Sequence, residues 1–269
     1  MKNFDVARLR LNRAKEHGEA MSNAWNDIPA EQFFRVRAKI DRDGGGSLFV
    51  EQATAIPDIF SLLLGEMLYQ MRSALDACIY QAAIYATGQN PPPNEGSYEF
   101  PITSDAAKFP NLARLKLKDI PQNLQDAIER VQPYNQPPTL AGPDVVKNLH
   151  RSLSILNDLA RKDRHRKLHV AGVTPSKLDP KFTFPHGVKL KSLTVHDPAT
   201  LQDQTVLASF QLDGFTPNSG EVQVNPFLLT LPGLDEPPIR CDASDTFPMR
   251  IQEMMNAVDS VICAFESYF

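Results

Sequence analysis

The stretch at residues 145–170, VVKNLHRSLSILNDLARKDRHRKLHV, is the part of the chain whose pattern does most to define its fold. Apolar residues recur along it at intervals of three and four, which is typical of a helix with one face against a core. Asp144 precedes the stretch, and Gly172 and Pro175 follow it, where helices commonly begin and end. The pattern predicts one long amphipathic helix whose apolar stripe consists of Val145, Leu149, Leu153, Leu156, Leu159 and Ala160.

The other face of this predicted helix is polar and ends in a cluster of positive charge. At 100° per residue it carries Lys147, Arg151, Ser154, Asp158, Arg161, His165 and His169. The final turns also hold Lys162, Arg164, Arg166 and Lys167, with Asp163 as the only acid among them. Cations at a helix C-terminus interact favourably with the helix dipole, so a solvated helix end without a function is one interpretation. A functional site is the other.

Composition and charge limit the classes to which the protein can belong. The chain has 269 residues, 42% hydrophobic and 22% charged, which is typical of a soluble globular protein. Its formal net charge of −4 means that nucleic-acid binding would require a local basic patch. The N-terminal segment is charged throughout, unlike a signal peptide, and Glu66, Arg72 and Asp76 interrupt the longest apolar run. We therefore expect a cytoplasmic protein without a membrane span.

The cysteines and glycines predict neither a disulfide framework nor a cofactor. Cys78, Cys241 and Cys263 are odd in number and form no C-x-x-C pair, which argues against disulfides and against a zinc knuckle. Cys78 and Cys263 lie within apolar helical patterns, so we expect reduced, buried thiols there. The three glycines at 44–46 fit a turn, since no phosphate-binding glycine motif surrounds them.

The order of helical and strand patterns indicates the α+β class. Helical periodicity covers residues 4–25, 57–87, 106–117, 121–131, 145–170 and 247–269. Strand alternation at 33–40 and 47–53 flanks the turn DRDGGG and predicts a hairpin, and three or four more strands follow Gly172. We expect a single domain over 1–269, with the hairpin able to join the later strands. It would combine a bundle of four to five helices, from about 1–31, 57–172 and 247–269, with an antiparallel sheet from about 32–53 and 180–232.

Two charged residues of the long predicted helix at 57–87 fall on its apolar side. Arg72 and Asp76, four positions apart, project beside Leu68, Leu75 and Ile79. Burying unpaired charges is costly, so both side chains need partners. We expect a largely buried pair that also contacts the central helix through Asp163, Arg164 or His165.

Motifs on these two helices resemble a known superfamily. An arginine and a histidine separated by four residues stand in RHRKLH at 164–169, which overlaps DRHR at 163–166, and RSALD stands at 72–76. These segments resemble the HEPN superfamily (higher eukaryotes and prokaryotes nucleotide-binding). They also look like a group of uncharacterised bacterial proteins with RSALD and D-[KR]-H-R motifs. The resemblance implies a small helical bundle, and many HEPN members are metal-independent ribonucleases of defence and toxin systems.

The resemblance implies Arg164 and His169 as the catalytic pair, with His165 assisting, and a homodimer that brings two such motifs together. RNA cleavage without a metal needs a base, an acid and positive charge on the phosphate. Histidine can carry the proton, and arginine can bind two phosphate oxygens. Further candidates for binding or structural polar contacts are Arg72, Asp76, Asn157, Asp158, Arg161 and Asp163.

Two alternatives remain open. On an ideal helix Arg164 lies about 140° from His169, whereas His165, His169 and Asp158 share a face and could contact a metal. Those three ligands are too few to predict a metal site, and Arg166 stands where H-E-x-x-H would have its glutamate. The second alternative is a non-catalytic binding or assembly module in which the same residues form a structural polar cluster. The isolated His150, His186 and His196 are predicted to be surface or packing residues.

Overall fold

Helices and antiparallel strands both contribute to the fold, which is mixed as the α+β prediction requires. The computed structural model describes residues 4–28, 34–52, 56–136, 144–165, 173–196, 203–232, 234 and 246–269. Within these ranges the α-helices are α1 (Asp5–Asn26), α2 (Asp58–Thr87), α3 (Phe109–Lys116), α4 (Gln122–Arg130), α5 (Asp144–Asp163) and α6 (Phe247–Tyr268). The strands are β1 (Phe34–Ile40), β2 (Gly45–Gln52), β3 (Val173–Thr183), β4 (Lys189–Val195), β5 (Val206–Asp213) and β6 (Gln223–Pro232).

The chain divides into two compact units that interleave along the sequence. The helical unit comprises Met1–Ser22, Ser61–Leu168 and Arg250–Phe269, and the β unit comprises Asn23–Phe60 and His169–Met249. The first strand of the C-terminal half begins at Val173, earlier than the predicted start near 180. The interpretation of the chain as one domain stays a prediction.

Helix α1 packs against α2 and α6 in the helical unit. Phe4, immediately before α1, meets the rings of Tyr85 and Phe265 edge-on, with centroids 5.7 and 5.9 Å apart. Arg8 forms ion pairs with Asp259 and Glu266 of α6. The apolar face predicted for α2 is fully buried at Leu64, Met67, Met71, Leu75, Cys78 and Ala82. Burial of this long apolar face stabilises the unit.

Helix α5 ends at Asp163, which corrects the predicted helix to residue 170. The His165 amide donates to the Lys162 carbonyl at 3.0 Å, a tightened last turn of the kind that commonly closes a helix. The apolar stripe is buried as predicted at Leu153, Leu156, Leu159 and Ala160. Asp163 and Lys167 would be the next positions of that stripe, and charged residues there provide no apolar contact that would hold further turns against the core. Residues 166–172 lie outside the described ranges.

The predicted hairpin forms and belongs to a larger sheet. Strands β1 and β2 pair antiparallel, and β2 also pairs with β5, in a four-stranded sheet of order β1-β2-β5-β4. Gly44 adopts a φ of +83° in the turn, a conformation that favours glycine, and the Gly45 amide donates to Asp43 at 3.0 Å. The prediction that the N-terminal hairpin joins later strands is therefore confirmed.

The later strands form two sheets rather than the one predicted. Strands β3 and β6 pair only with each other in the described part of the chain. Proline lacks the N–H that a further strand would need, and β3 contains Pro175 and Pro180 while β6 contains Pro226. Phe182 of β3 meets Phe210 of β5 edge-on, with centroids 5.2 Å apart. The prolines limit the hydrogen bonds that β3 and β6 can offer to other strands, and the aromatic pair connects the two-stranded sheet to the four-stranded one.

One prediction about the cysteines is wrong. Cys78 is buried in α2 as expected, but Cys263 on α6 is exposed, with its sulfur 3.1 Å from an Arg8 nitrogen. On the helical wheel Cys263 lies about 140° from the centre of the apolar stripe of α6, between the exposed Gln252 and Asn256, so its apolar neighbours in the sequence were misleading. Cys241 lies outside the described ranges.

Membrane crossing requires about 20 consecutive apolar residues in one helix. Among the helices described, none has both the necessary length and the necessary apolar character.

Candidate functional site

A pocket of about 260 Å³ lies in the helical unit between α2, α3, α5 and the loop that follows α2. Helix α5 and the turn after it contribute four polar residues to the lining: Asn157, Arg161, Arg164 and His165. The other lining residues are Arg72, Glu99, Phe100, Pro101, Ile102, Leu112 and Lys116. Four cations therefore surround one small cavity, and we refer to it as the basic pocket.

Arg72 forms the inner wall of the basic pocket and is held from one side. Its side chain is 11% exposed, and Nη2 lies 3.3 Å from an Asp76 carboxylate oxygen. The same nitrogen donates to the Phe100 carbonyl, while the Phe100 amide donates to Asp76 at 2.9 Å. Arg72 and Asp76 thus bind both backbone groups of one loop residue. This arrangement explains why two charged side chains occupy the apolar side of α2.

The second terminal nitrogen of the Arg72 guanidinium, Nη1, has no hydrogen-bond partner among the described residues. Nη1 is buried and makes no hydrogen bond within the described part of the chain. Burial lowers the pKa of Arg72, the Asp76 carboxylate opposes that effect, and the charge of Arg164 adds to it. A buried donor without an acceptor is costly, and an arginine beside another cation more so. An anion in the basic pocket would offset the positive charge that Arg72 and Arg164 bring together.

Lys116 is a second cation of the site, and the sequence did not single it out. Burial lowers its pKa, and the charges of Arg72 and Arg164 lower it further. Its ammonium group pairs with Glu99. Lys116 ends the short helix α3, which lies within the helix predicted at 106–117. No local pattern distinguishes Lys116 from Lys118 beyond it, because only the packing of α3 selects which lysine reaches α2.

Gln132 and His150 support the loop wall of the basic pocket. Gln132 is fully buried, and its side-chain amide donates to the Pro101 carbonyl at 2.9 Å and accepts from the Thr103 amide at 3.0 Å. His150 of α5 is also buried, and its Nδ1 lies 2.9 Å from the Gln132 carbonyl. His150 is therefore a packing residue, as expected. The two side chains fix residues 100–103 between α4 and α5.

Asp163 does not meet Arg72 and faces a different cavity. Its carboxylate lies so close to α2 that a β-carbon at Gly65 would be 2.6 Å from its oxygens. It lines a second pocket of about 480 Å³ with His17 and Glu66, whose side chains lie 3.2 Å apart. Of the three contacts proposed for the Arg72 pair, the one through Asp163 is absent. Arg164 and His165 share the basic pocket with Arg72, where Arg164 is a neighbouring cation rather than a counter-ion.

The position of Asp163 predicts a stability that falls as pH rises. Burial raises the pKa of Asp163, so the folded chain holds this proton more tightly than the unfolded chain. The ionised carboxylate also stands at the C-terminus of α5, where negative charge is disfavoured. At pH 7 we expect Asp163→Asn to have a higher Tm than wild type, with the difference shrinking as pH approaches the ordinary carboxyl value of 3.8.

Calorimetry at pH 7 and at pH 3.8 tests this prediction, with Asp158→Asn on the same helix as the control. A lower Tm for Asp163→Asn at pH 7 would contradict it, since the carboxylate would then have a favourable partner.

The remaining candidate residues are placed as follows. Asp158 is half-buried on α5 and does not line the basic pocket. His169, half of the expected catalytic pair, lies outside the described ranges. Among the described residues, no group of three or more His, Cys, Asp or Glu side chains is arranged to hold a metal ion. The alternative of His165, His169 and Asp158 as metal ligands depends on His169 and stays an open alternative.

Helix α5 ends before Arg164, so Arg164 and His169 do not lie on one continuous helix as predicted. The angle of 140° between Arg164 and His169 applies to a continuous ideal helix. Arg164 and His165 instead form a turn, and residues 166–169 of the motif lie outside the described ranges.

Comparisons with models of protein families, with curated proteins and with solved structures find no match to this chain. The likeness to HEPN proteins therefore rests on the short motifs alone.

Proposed function

We propose that the protein binds RNA through a phosphate group in the basic pocket and cleaves it without a metal, as an HEPN-like ribonuclease. The observation that carries this proposal is the convergence of four cations, Arg72, Lys116, Arg161 and Arg164, on one pocket. Arginine and lysine are the usual ligands of phosphate oxygens. Because the chain is acidic overall, such a cluster provides the local patch that nucleic-acid binding requires.

The chemistry follows from the positions of the side chains. Arg72, Lys116 and Arg164 would hold a phosphate of the RNA strand and so position a neighbouring bond of the strand beside His165. His165 is exposed where it lines the pocket, so an RNA strand could reach its ring. The HEPN motif adds His169 as the second proton carrier, which gives the reaction the acid and the base that it needs. We also propose that the helices around the pocket form a bundle of the HEPN kind.

A second candidate function is a non-catalytic binding or assembly module. The hydrogen bonds of Arg72 and Asp76 to both backbone groups of Phe100 favour it, because they have a structural purpose without any ligand. Charge reversal separates the candidates. Arg164→Glu would eliminate nucleic-acid binding in a nuclease, whereas in an assembly module it would affect only a protein partner.

A homodimer is part of the proposal. Large apolar side chains are exposed on neighbouring helices of the helical unit, at Val6 and Leu9 of α1 and at Leu62 and Tyr69 of α2. Exposed apolar groups on adjacent helices favour contact with another surface, and a two-fold axis would double the histidines and cations available to one RNA. Light scattering that gives the mass of a single chain at micromolar concentration would contradict the dimer.

The proposed function is tested with labelled single-stranded RNA in excess chelator. We expect wild type to bind and cut, and binding to weaken steeply with salt because phosphate contacts release counterions. Arg164→Ala should weaken binding and cleavage together. Arg13→Ala, which removes an exposed cation of the same unit outside the basic pocket, is the matched control and should behave as wild type. If wild type neither binds nor cuts at low salt, the nuclease proposal is wrong.

A further inference from the structure

The basic pocket has an inner end and a mouth, and cations occupy both. Arg72, whose side chain is 11% exposed, is the most deeply buried of these cations and forms the inner end of the pocket. Lys116 is 28% exposed and lies at an intermediate depth. Arg161, Arg164 and His165 are exposed and surround the mouth. A phosphate that reaches Arg72 must therefore pass the mouth and stop against a closed wall.

The side chains that line the basic pocket, together with their ion-pair partners, have a net positive charge that matches a ligand with two negative charges. Arg72 pairs with Asp76 and Lys116 pairs with Glu99, so two of the four cations are already neutralised. Arg161 and Arg164 have no carboxylate partner in the described part of the chain, which leaves two positive charges. A phosphodiester inside an RNA strand carries one negative charge, whereas a phosphomonoester carries about −1.5 to −2 at pH 7. The excess matches the monoester.

The volume and the lining of the basic pocket fit the end of an RNA strand better than an internal phosphate. Its volume of about 260 Å³ lies below the range of roughly 300–1,000 Å³ that is usual for pockets enclosing a drug-sized ligand. Phe100, Pro101, Ile102 and Leu112 form an apolar wall, and Asn157 adds one amide. A single phosphate with part of its sugar would fill this space. An internal phosphate would require the strand to enter and leave through the same mouth.

We infer that the basic pocket recognises the phosphomonoester at an end of an RNA strand. This inference rests on the proposed function, because it assigns the phosphate group that the same pocket binds. The charges of Arg72 and Lys116 attract the monoester at the inner end, and Arg161 and Arg164 at the mouth complete the neutralisation. The terminal phosphate thereby anchors the strand, and the bond to be cut lies outside the pocket beside His165.

The experiment compares three RNAs of one sequence, carrying a 5′-phosphate, a 3′-phosphate or hydroxyls at both ends. Fluorescence anisotropy in excess chelator and low salt gives each affinity for the full-length protein. We expect one phosphorylated RNA to bind at least about tenfold tighter than the hydroxyl-ended RNA, the contribution of one additional charge-assisted hydrogen bond. The 5′ and 3′ forms identify which end is recognised.

Variants connect the preference to the pocket. Lys116→Gln and Arg164→Gln should each reduce the preference for the phosphorylated end, with circular dichroism spectra unchanged, and Arg13→Gln should leave it intact. Equal affinity for all three RNAs, reduced equally by Arg164→Gln, would overturn the inference and leave the proposed function standing. A preference for a phosphorylated end without any cleavage would support the inference and remove the catalytic part of the proposal. If no RNA is bound, both are wrong.

Discussion

Asp76→Asn is expected to destabilise the helical unit by about 3 kcal/mol, the lower end of the loss that follows removal of one partner from a buried ion pair. The substitution keeps the shape of the side chain and an oxygen that can accept from the Phe100 amide. It removes the carboxylate that pairs with Arg72, whose side chain is 11% exposed. The buried guanidinium would then face Arg164 and Lys116 without compensation. The lower end applies because Asp76 is 32% exposed and water screens part of its charge.

Removing the cation instead should cost less. Arg72→Met removes a guanidinium whose pKa is already lowered by burial. The Asp76 carboxylate that remains is partly exposed to water and still accepts a hydrogen bond from the Phe100 amide. We expect a loss of about 1–2 kcal/mol, close to the value for an ordinary hydrogen bond and some packing. The double variant should be more stable than Asp76→Asn alone, because it no longer contains an uncompensated cation.

Urea unfolding followed by circular dichroism measures these differences. Asp259→Asn is the matched control: Asp259 pairs with Arg8 on a more exposed surface, Glu266 remains as a second partner, and a change below about 1 kcal/mol is expected. A larger loss for Arg72→Met than for Asp76→Asn would show that the acid, and not the cation, is the member of the pair that needs its partner.

The second large effect concerns the histidines. His165→Ala is expected to reduce RNA cleavage by roughly 10²–10⁴-fold, the usual contribution of a positioned acid or base, while RNA affinity changes little. The affinity should persist because Arg72, Lys116 and Arg164 remain to bind the phosphate. His169→Ala should have an effect of the same size if the HEPN-like motif supplies the second proton carrier. Wild type should show a bell-shaped dependence of the rate on pH, and each variant should lose one limb of it.

Single-turnover cleavage with saturating enzyme separates chemistry from binding. His186→Ala, which changes a histidine in the exposed turn between β3 and β4, is the control and should cut at the wild-type rate. A variant of His165 that loses affinity in proportion to rate would assign that residue to phosphate binding instead. Full activity in both His165→Ala and His169→Ala would rule out histidine as the proton carrier in this site.

Local periodicity was sufficient to predict most of the elements. The spacing of apolar residues located α1, α2 and α6 to within about a residue, since their stripes continue to the helix ends. The turn DRDGGG and the alternating strands on either side located the β1–β2 hairpin. The apolar environment of Arg72 and Asp76 was also visible on the helical wheel of α2. Each of these features is set by residues that lie close together in the sequence, so the spacing of apolar residues is enough to predict it.

Tertiary packing decided the rest. The end of α5 at Asp163 depends on where the core stops, and a continuous run of polar residues does not mark that point. Strands β3 and β6 form a second sheet because of the strands with which they pair, and alternation alone does not show which strands pair. The basic pocket combines Arg72 with Lys116 and Arg164, and Gln132 holds its wall, although these residues lie far apart in the sequence. Contacts between distant segments are set by the shapes of the packed helices, so the sequence alone identified the charged residues and only the folded chain determined which of them meet.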